Sequence, residues 1–139
     1  PEFSLTRAGG LVAVCLSASR VGLDAERSQG NVEELIASEV FSDEDRVWIG
    51  AGPRAERFLR LWVAKEAIGK GSGLGLVEAG TIRIRAAKDG WCPAVDALGV
   101  PCSVAAVTIP GAAAAALATF GECSPLVSRT PEEDWLDRS

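Results

Sequence analysis

Gly52–Lys70, reading GPRAERFLRLWVAKEAIGK, is the longest helical pattern in the chain. A Gly-Pro pair opens it, and proline suits a first helical position because the N–H it lacks has no intrahelical partner there. Phe58, Leu61, Trp62, Lys65 and Ile68 then recur at spacings of three and four, which predicts a helix with one side turned inward. The cluster Gly69, Gly71, Gly73 and Gly75 stops it near Lys70. Gly69 inside the last turn costs ~1 kcal/mol relative to alanine. Close backbone approach, for example to a ligand, is the kind of use that offsets such a cost.

On both sides of this helix the period changes. Leu11–Leu16 and Val21–Glu26 are apolar runs separated by the polar Ser17–Arg20, which predicts a hairpin or tight connection between two strands. Asn31 is placed to cap a helix through about Val40, and Ser42 followed by Asp45 matches a capping box for a short helix toward Trp48. Thr81–Ala86 alternates isoleucine with arginine, as a half-buried strand does. Cys102–Ile109 and Ala113–Phe120 read as two further strands joined at Pro110-Gly111. The order β-β-α-α-α-β-β-β predicts an α+β fold, with helices packed on a mainly antiparallel sheet. At 139 residues, without repeat or linker, one domain is expected over 1–123, followed by a polar tail over 124–139.

Composition narrows the chemistry. With 47% hydrophobic residues the chain can build a core, and with no histidine it has no Ser-His-Asp, Cys-His or HExxH machinery of its own. Catalysis has to run on carboxylates, lysines or a metal. Cys15, Cys92, Cys102 and Cys123 form no CxxC pair and read as buried thiols in a reducing, cytoplasmic setting. No apolar run approaches the ~20 residues of a membrane span, and the opening PEFSLTRAGG has no secretory pattern. The absence of methionine, even at position 1, leads us to expect a piece of a longer polypeptide. A net charge of -5 argues against nucleic-acid binding. Arg54, Arg57, Arg60, Lys65, Lys70, Arg83, Arg85 and Lys88 nevertheless crowd the middle, either as a basic surface for a phosphate-bearing or acidic partner or as solvated helix faces.

Two segments carry candidate chemistry. In Val21-Gly22-Leu23-Asp24-Ala25-Glu26, Asp24 and Glu26 lie two apart on a strand and share a face. Either they end a strand at the surface or something positive joins them, and Mg²⁺, which takes carboxylate and phosphate oxygens, is the natural candidate. In WVAKEAIGK, Trp62, Glu66 and Lys70 recur every four residues on one side. Glu66 and Lys70 either pair with each other or face a ligand. The glycine run after them is no P-loop, since Gly69-Lys70 is followed by Gly71 rather than Ser or Thr, and no GxGxxG opens a helix here.

Taken together, VGLDAE and WVAKEAIGK resemble the signature of the 4′-phosphopantetheinyl transferases, G-x-D followed by W/F-x-x-K-E-A-x-x-K. FSLTRAGG is similar to the preceding family segment, F-N/S-h-S/T-H-S/T-x-G, and the tryptophan with the GLDAE form resembles the Sfp-like branch. The resemblance implies a phosphopantetheinyl transferase-like half-fold that moves the 4′-phosphopantetheine arm of coenzyme A onto a serine of an apo acyl or peptidyl carrier protein, releasing 3′,5′-ADP. It implies Asp24, Glu26 and Glu66 as ligands of Mg²⁺, Glu66 also as base for the serine hydroxyl, and Lys70 as the lysine that steadies the diphosphate. Lys65 matches a lysine that contacts coenzyme A phosphate. Arg7 stands where the family has histidine and Ala8 where it has Ser/Thr; the planar guanidinium still suits phosphate, so Arg7 is expected to bind coenzyme A. Sfp-like members carry two such halves with the coenzyme A site between them. The chain is therefore expected to self-associate or to lack an upstream half, as an integrated domain of a polyketide or fatty-acid biosynthetic enzyme would. A non-catalytic module of the same ancestry, binding carrier protein or a partner half, is the alternative.

Overall fold

The computed structural model describes residues 1–27, 39–86 and 90–121. β1 (Glu2–Ala8) and β2 (Leu11–Ser17) make an antiparallel hairpin. β3 (Val21–Glu26), β4 (Arg83–Ile84), β5 (Cys92–Val95), β6 (Pro101–Ala106) and β7 (Ala114–Thr119) form a five-stranded antiparallel sheet in the order β3-β7-β6-β5-β4. Two helices, α1 (Asp43–Gly50) and α2 (Arg54–Ser72), and a short 3-10 turn at Ala79–Thr81 complete the described elements. This is the α+β class, with helices on a mainly antiparallel sheet, that the element order predicts.

α2 fits its sequence closely. Pro53 sits at the N-cap, one position earlier than expected, and Gly73 ends the helix in the left-handed region at φ 80°, where only glycine pays no steric penalty. Burial extends beyond the expected stripe to Leu59, Val63, Ala64 and Ala67, because the helix is covered on two sides. One side lies on the sheet; the other meets α1 and the segments around Phe41 and Ala79 in the same core. Residues such as Leu61 and Ile68, fully enclosed, each contribute roughly 1.5–3 kcal/mol by leaving water. α1 begins as predicted: Ser42 accepts a hydrogen bond from the Asp45 amide at 3.2 Å, and Asp45 accepts one from the Ser42 amide at 2.9 Å.

Gly22 on β3 and Gly71 on α2 set how closely strand and helix approach. A Cβ at Gly22 would collide with the Ala67 carbonyl oxygen and lie 2.6 Å from the Gly71 amide nitrogen. Gly69 meets the Gly75 carbonyl in the same manner, so its close approach is to the protein's own backbone rather than to a ligand.

Two expectations need correction. β2 does not pair with β3; it pairs with β1 across Gly9-Gly10, whose φ values of 50° and 87° give the doubly positive turn that suits a two-residue hairpin. β3 instead pairs with β7, Val21 opposite Thr119 through Glu26 opposite Ala114. Of the strand expected at Thr81–Ala86, only Arg83 and Ile84 pair, and β5 was not foreseen because Pro93 lies within it. The helix expected from Asn31, the thiol of Cys123 and the tail over 124–139 lie outside the described residues, apart from Glu39 and Val40 at the helix's expected end.

Candidate functional site

β3 is an edge strand of the five-stranded sheet, and its alternate residues Gly22, Asp24 and Glu26 face α2. Asp24 is buried and Glu26 is half-buried. Lys70, from the last turn of α2, places its ammonium 2.7 Å from Asp24 Oδ1 and donates to the Leu23 carbonyl at 3.2 Å. Glu66 therefore does not pair with Lys70 along the helix; the lysine reaches across to the strand. Trp62, two turns up, donates its indole N–H to Glu26 Oε1 at 3.4 Å. Trp62, Glu66 and Lys70 share one side of α2, and the Trp62 indole and Lys70 ammonium meet the two strand carboxylates.

A third wall comes from β1. Ser4 and Thr6 point inward, where Ser4 Oγ accepts the Leu23 amide at 2.9 Å and Thr6 Oγ1 accepts the Ala25 amide at 3.2 Å. These are amides that a sheet edge leaves without a strand partner, so two hydroxyls stand in for a neighbouring strand. Thr6 Oγ1 also donates to Asp24 Oδ1 at 3.1 Å. Asp24 Oδ1 thus receives both Thr6 and Lys70, whereas Oδ2 is buried with no hydrogen-bond partner among the described residues.

Three carboxylates facing one ammonium leave an excess of negative charge. Burial, and then repulsion from Asp24 and Glu26, hold the Glu66 carboxyl above the usual carboxylate range, with Lys70 opposing. Burial and Asp24 likewise raise Glu26, against the Trp62 hydrogen bond and Lys70. Such a group favours a cation, and a carboxylate with a raised pKa is a better proton acceptor near neutrality. Among the described residues no three Asp, Glu or Cys side chains are gathered to hold a metal ion.

Two predicted residues stand apart. Lys65 is fully buried and donates to the Val40 and Ala79 carbonyls, both at 2.8 Å, while pairing with Asp45 at 2.6 Å. An ammonium enclosed in this way ties three segments of the fold together, at the position for which the resemblance implied a contact with coenzyme A phosphate. Arg7 is exposed on the outer face of the hairpin, opposite Val12, away from Asp24. Of the central basic residues, Arg57 stacks on Trp48 and donates to its carbonyl, Arg60 pairs with Glu56, and Arg83 donates to Gly80. A cleft of about 730 Å³ between Glu39–Val40 and the 76–81 turn shares no residue with the carboxylate group.

A family model described as the 4′-phosphopantetheinyl transferase superfamily matches residues 20–91, more than half of the chain. The chain belongs to this superfamily. The phosphopantetheinyl transferase match spans β3, α1, α2 and β4, and so contains Asp24, Glu26, Trp62, Glu66 and Lys70. It is a family of transferases that use coenzyme A as substrate and carrier proteins as acceptors. The matched segment leaves out β1, where Ser4 and Thr6 fall on the N/S and S/T positions of the family segment that FSLTRAGG resembles. No curated protein matches the chain significantly. No helix among the described residues is long and apolar enough to cross a membrane.

Proposed function

We propose that the chain is a Mg²⁺-dependent phosphopantetheinyl transferase of the Sfp-like branch, moving the 4′-phosphopantetheine arm of coenzyme A to a carrier-protein serine and releasing 3′,5′-ADP. The observation that carries this reading is the Asp24 carboxylate, held through Oδ1 by Lys70, with Oδ2 buried and without a hydrogen-bond partner among the described residues. The donors fit Mg²⁺ in kind: hard oxygens, a surplus of negative charge and one carboxylate oxygen awaiting a partner. Mg²⁺ commonly takes only one or two carboxylates and completes its shell with water and substrate phosphate, which agrees with the absence of a ready-made three-carboxylate ring among the described residues. Asp24 and Glu66, with Glu26 beside them, would hold the ion, and the ion when bound would neutralise the diphosphate and favour in-line displacement.

The chain's own groups do the rest. Glu66 accepts the serine proton, directly or through water, as the serine oxygen attacks the β-phosphorus. The bond from that phosphorus to the bridging oxygen breaks, and Lys70 supplies charge and a proton to the departing 3′,5′-ADP oxygen. Two of the three ammonium donors rest on Asp24 and Leu23, so one is available to a phosphate oxygen. The free thiols of Cys15 and Cys102 support a reducing, cytoplasmic setting.

A second half is part of this proposal. Phe3, Leu5, Val12, Val14 and Leu16 lie 39–75% exposed on one face of the hairpin, paired as Phe3 with Leu16 and Leu5 with Val14. An apolar face of that size marks an interaction surface, and Arg7 sits within it. Packing of a second copy or another half there would bring Arg7 to coenzyme A phosphate. The Arg7 and Ala8 departures favour the alternative, a binding module that completes no chemistry. Incubation with an apo carrier protein, coenzyme A and Mg²⁺, followed by the carrier's mass, separates the two. Gain of the arm, rising steeply with chain concentration, is expected; no gain at any concentration would leave only the binding module.

A further inference from the structure

Thr6 lies outside the matched residues 20–91, yet its hydroxyl contacts both the β3 backbone and the Asp24 carboxylate. Its hydroxyl is almost fully enclosed at 2% exposure, accepts from the Ala25 amide at 3.2 Å and donates to Asp24 Oδ1 at 3.1 Å. A threonine hydroxyl has a single proton to donate, and the amide contact turns the oxygen's lone pairs toward β3, so that proton is committed to Asp24. Lys70 reaches the same Oδ1 from the opposite element. Held from β1 and from α2 through one oxygen, the carboxylate cannot turn about its Cβ–Cγ bond without breaking both contacts. Its other oxygen is thereby kept buried, with no hydrogen-bond partner among the described residues.

We infer that Thr6 is a positioning residue for divalent-cation binding: by fixing Asp24 Oδ1 it presents Oδ2 to the ion. This rests on the Mg²⁺ reading proposed above. Partners that orient a metal-binding carboxylate typically change affinity by about 10- to 100-fold when removed. Ser4 supplies the internal control. It bonds the Leu23 amide on the same strand and from the same face of β1, but touches no carboxylate.

The test is Mn²⁺ binding to the chain, measured by electron paramagnetic resonance for wild type, Thr6→Val, Thr6→Ser, Ser4→Ala and Asp24→Asn, with a thermal melt of each. Thr6→Val is expected to weaken Mn²⁺ binding about 10- to 100-fold, Thr6→Ser to restore most of it, and Ser4→Ala to lower the melting temperature with affinity kept. Equal affinity in wild type and Thr6→Val overturns the assignment. So does an equal loss in Thr6→Val and Ser4→Ala, which would trace the effect to the β1–β3 seam, or a Thr6→Ser variant as weak as Thr6→Val. If wild type binds no more tightly than Asp24→Asn, the metal reading itself fails and Thr6 loses its role with it.

Discussion

Gly22→Ala tests the link between packing and chemistry, because this glycine belongs to the fold alone while its neighbour Asp24 belongs to the site. The added Cβ would overlap the Ala67 carbonyl oxygen and come within 2.6 Å of the Gly71 amide nitrogen. Both obstacles are backbone of a buried helix, so no side chain can rotate away. β3 and α2 must separate by about 1 Å to restore ordinary contact, which places the cost within the ~1–3 kcal/mol range for overpacking. For a domain of this size, ~2 kcal/mol lowers Tm by roughly 6–10 °C. The same separation carries Asp24 away from Lys70, now 2.7 Å apart, and a displacement of ~1 Å at reacting groups costs on the order of 10²-fold in rate. Calorimetric melting and the carrier-mass assay, run below the variant's Tm, read the two effects separately. Gly71→Ala is the comparison: its Cβ meets the Phe120 ring, which can shift, and alanine returns ~1 kcal/mol of helix propensity, so the loss should be smaller. A Gly22→Ala protein that melts within about 2 °C of wild type and transfers at the wild-type rate would refute the reasoning.

Two further outcomes follow from buried groups. Lys65→Met should destabilise by about 3–5 kcal/mol, since it strands the Asp45 carboxylate it pairs with, while coenzyme A affinity measured on the folded fraction stays unchanged; a drop in affinity at unchanged Tm would return Lys65 to the ligand. Burial, then Asp96, push the Cys102 thiol up to about 12 against the pull of Arg20. The unfolded thiol ionises near 9 and the folded one does not, so between those values the unfolded state gains and stability should fall as pH rises. Native Cys102 should resist iodoacetamide at pH 9 while the denatured chain reacts; equal rates by mass spectrometry would contradict the burial.

What the sequence revealed, and what it concealed, follows from how each residue is used. α2 was legible because its apolar spacing, opening proline and closing glycines all agree, and α1 because the Ser42–Asp45 capping box is local. Asp24, Glu26, Glu66 and Lys70 could be placed on faces by spacing of two and four, and the fold does turn those faces toward each other. Lys65 was less legible: one residue from Glu66, it lies about 100° round the helix, and only tertiary packing decides that this direction is interior. β1 was the least legible element. FSLTR alternates as a strand does, and Gly9-Gly10 marks its turn, but its amphipathicity is inverted: the hydroxyls of Ser4 and Thr6 point in and Phe3 and Leu5 point out. That inversion makes sense only once the amides of β3 and the Asp24 carboxylate are seen to need donors and acceptors.

The most direct measurement is the single-turnover rate of arm transfer for Glu66→Gln against wild type, at saturating coenzyme A and Mg²⁺. Glutamine keeps the size of the side chain and one oxygen but cannot take a proton. If Glu66 is the acceptor for the serine proton, transfer should slow by about 10²- to 10⁴-fold with the protein still folded. A Glu66→Gln chain that modifies the carrier at the wild-type rate would contradict the account at its centre.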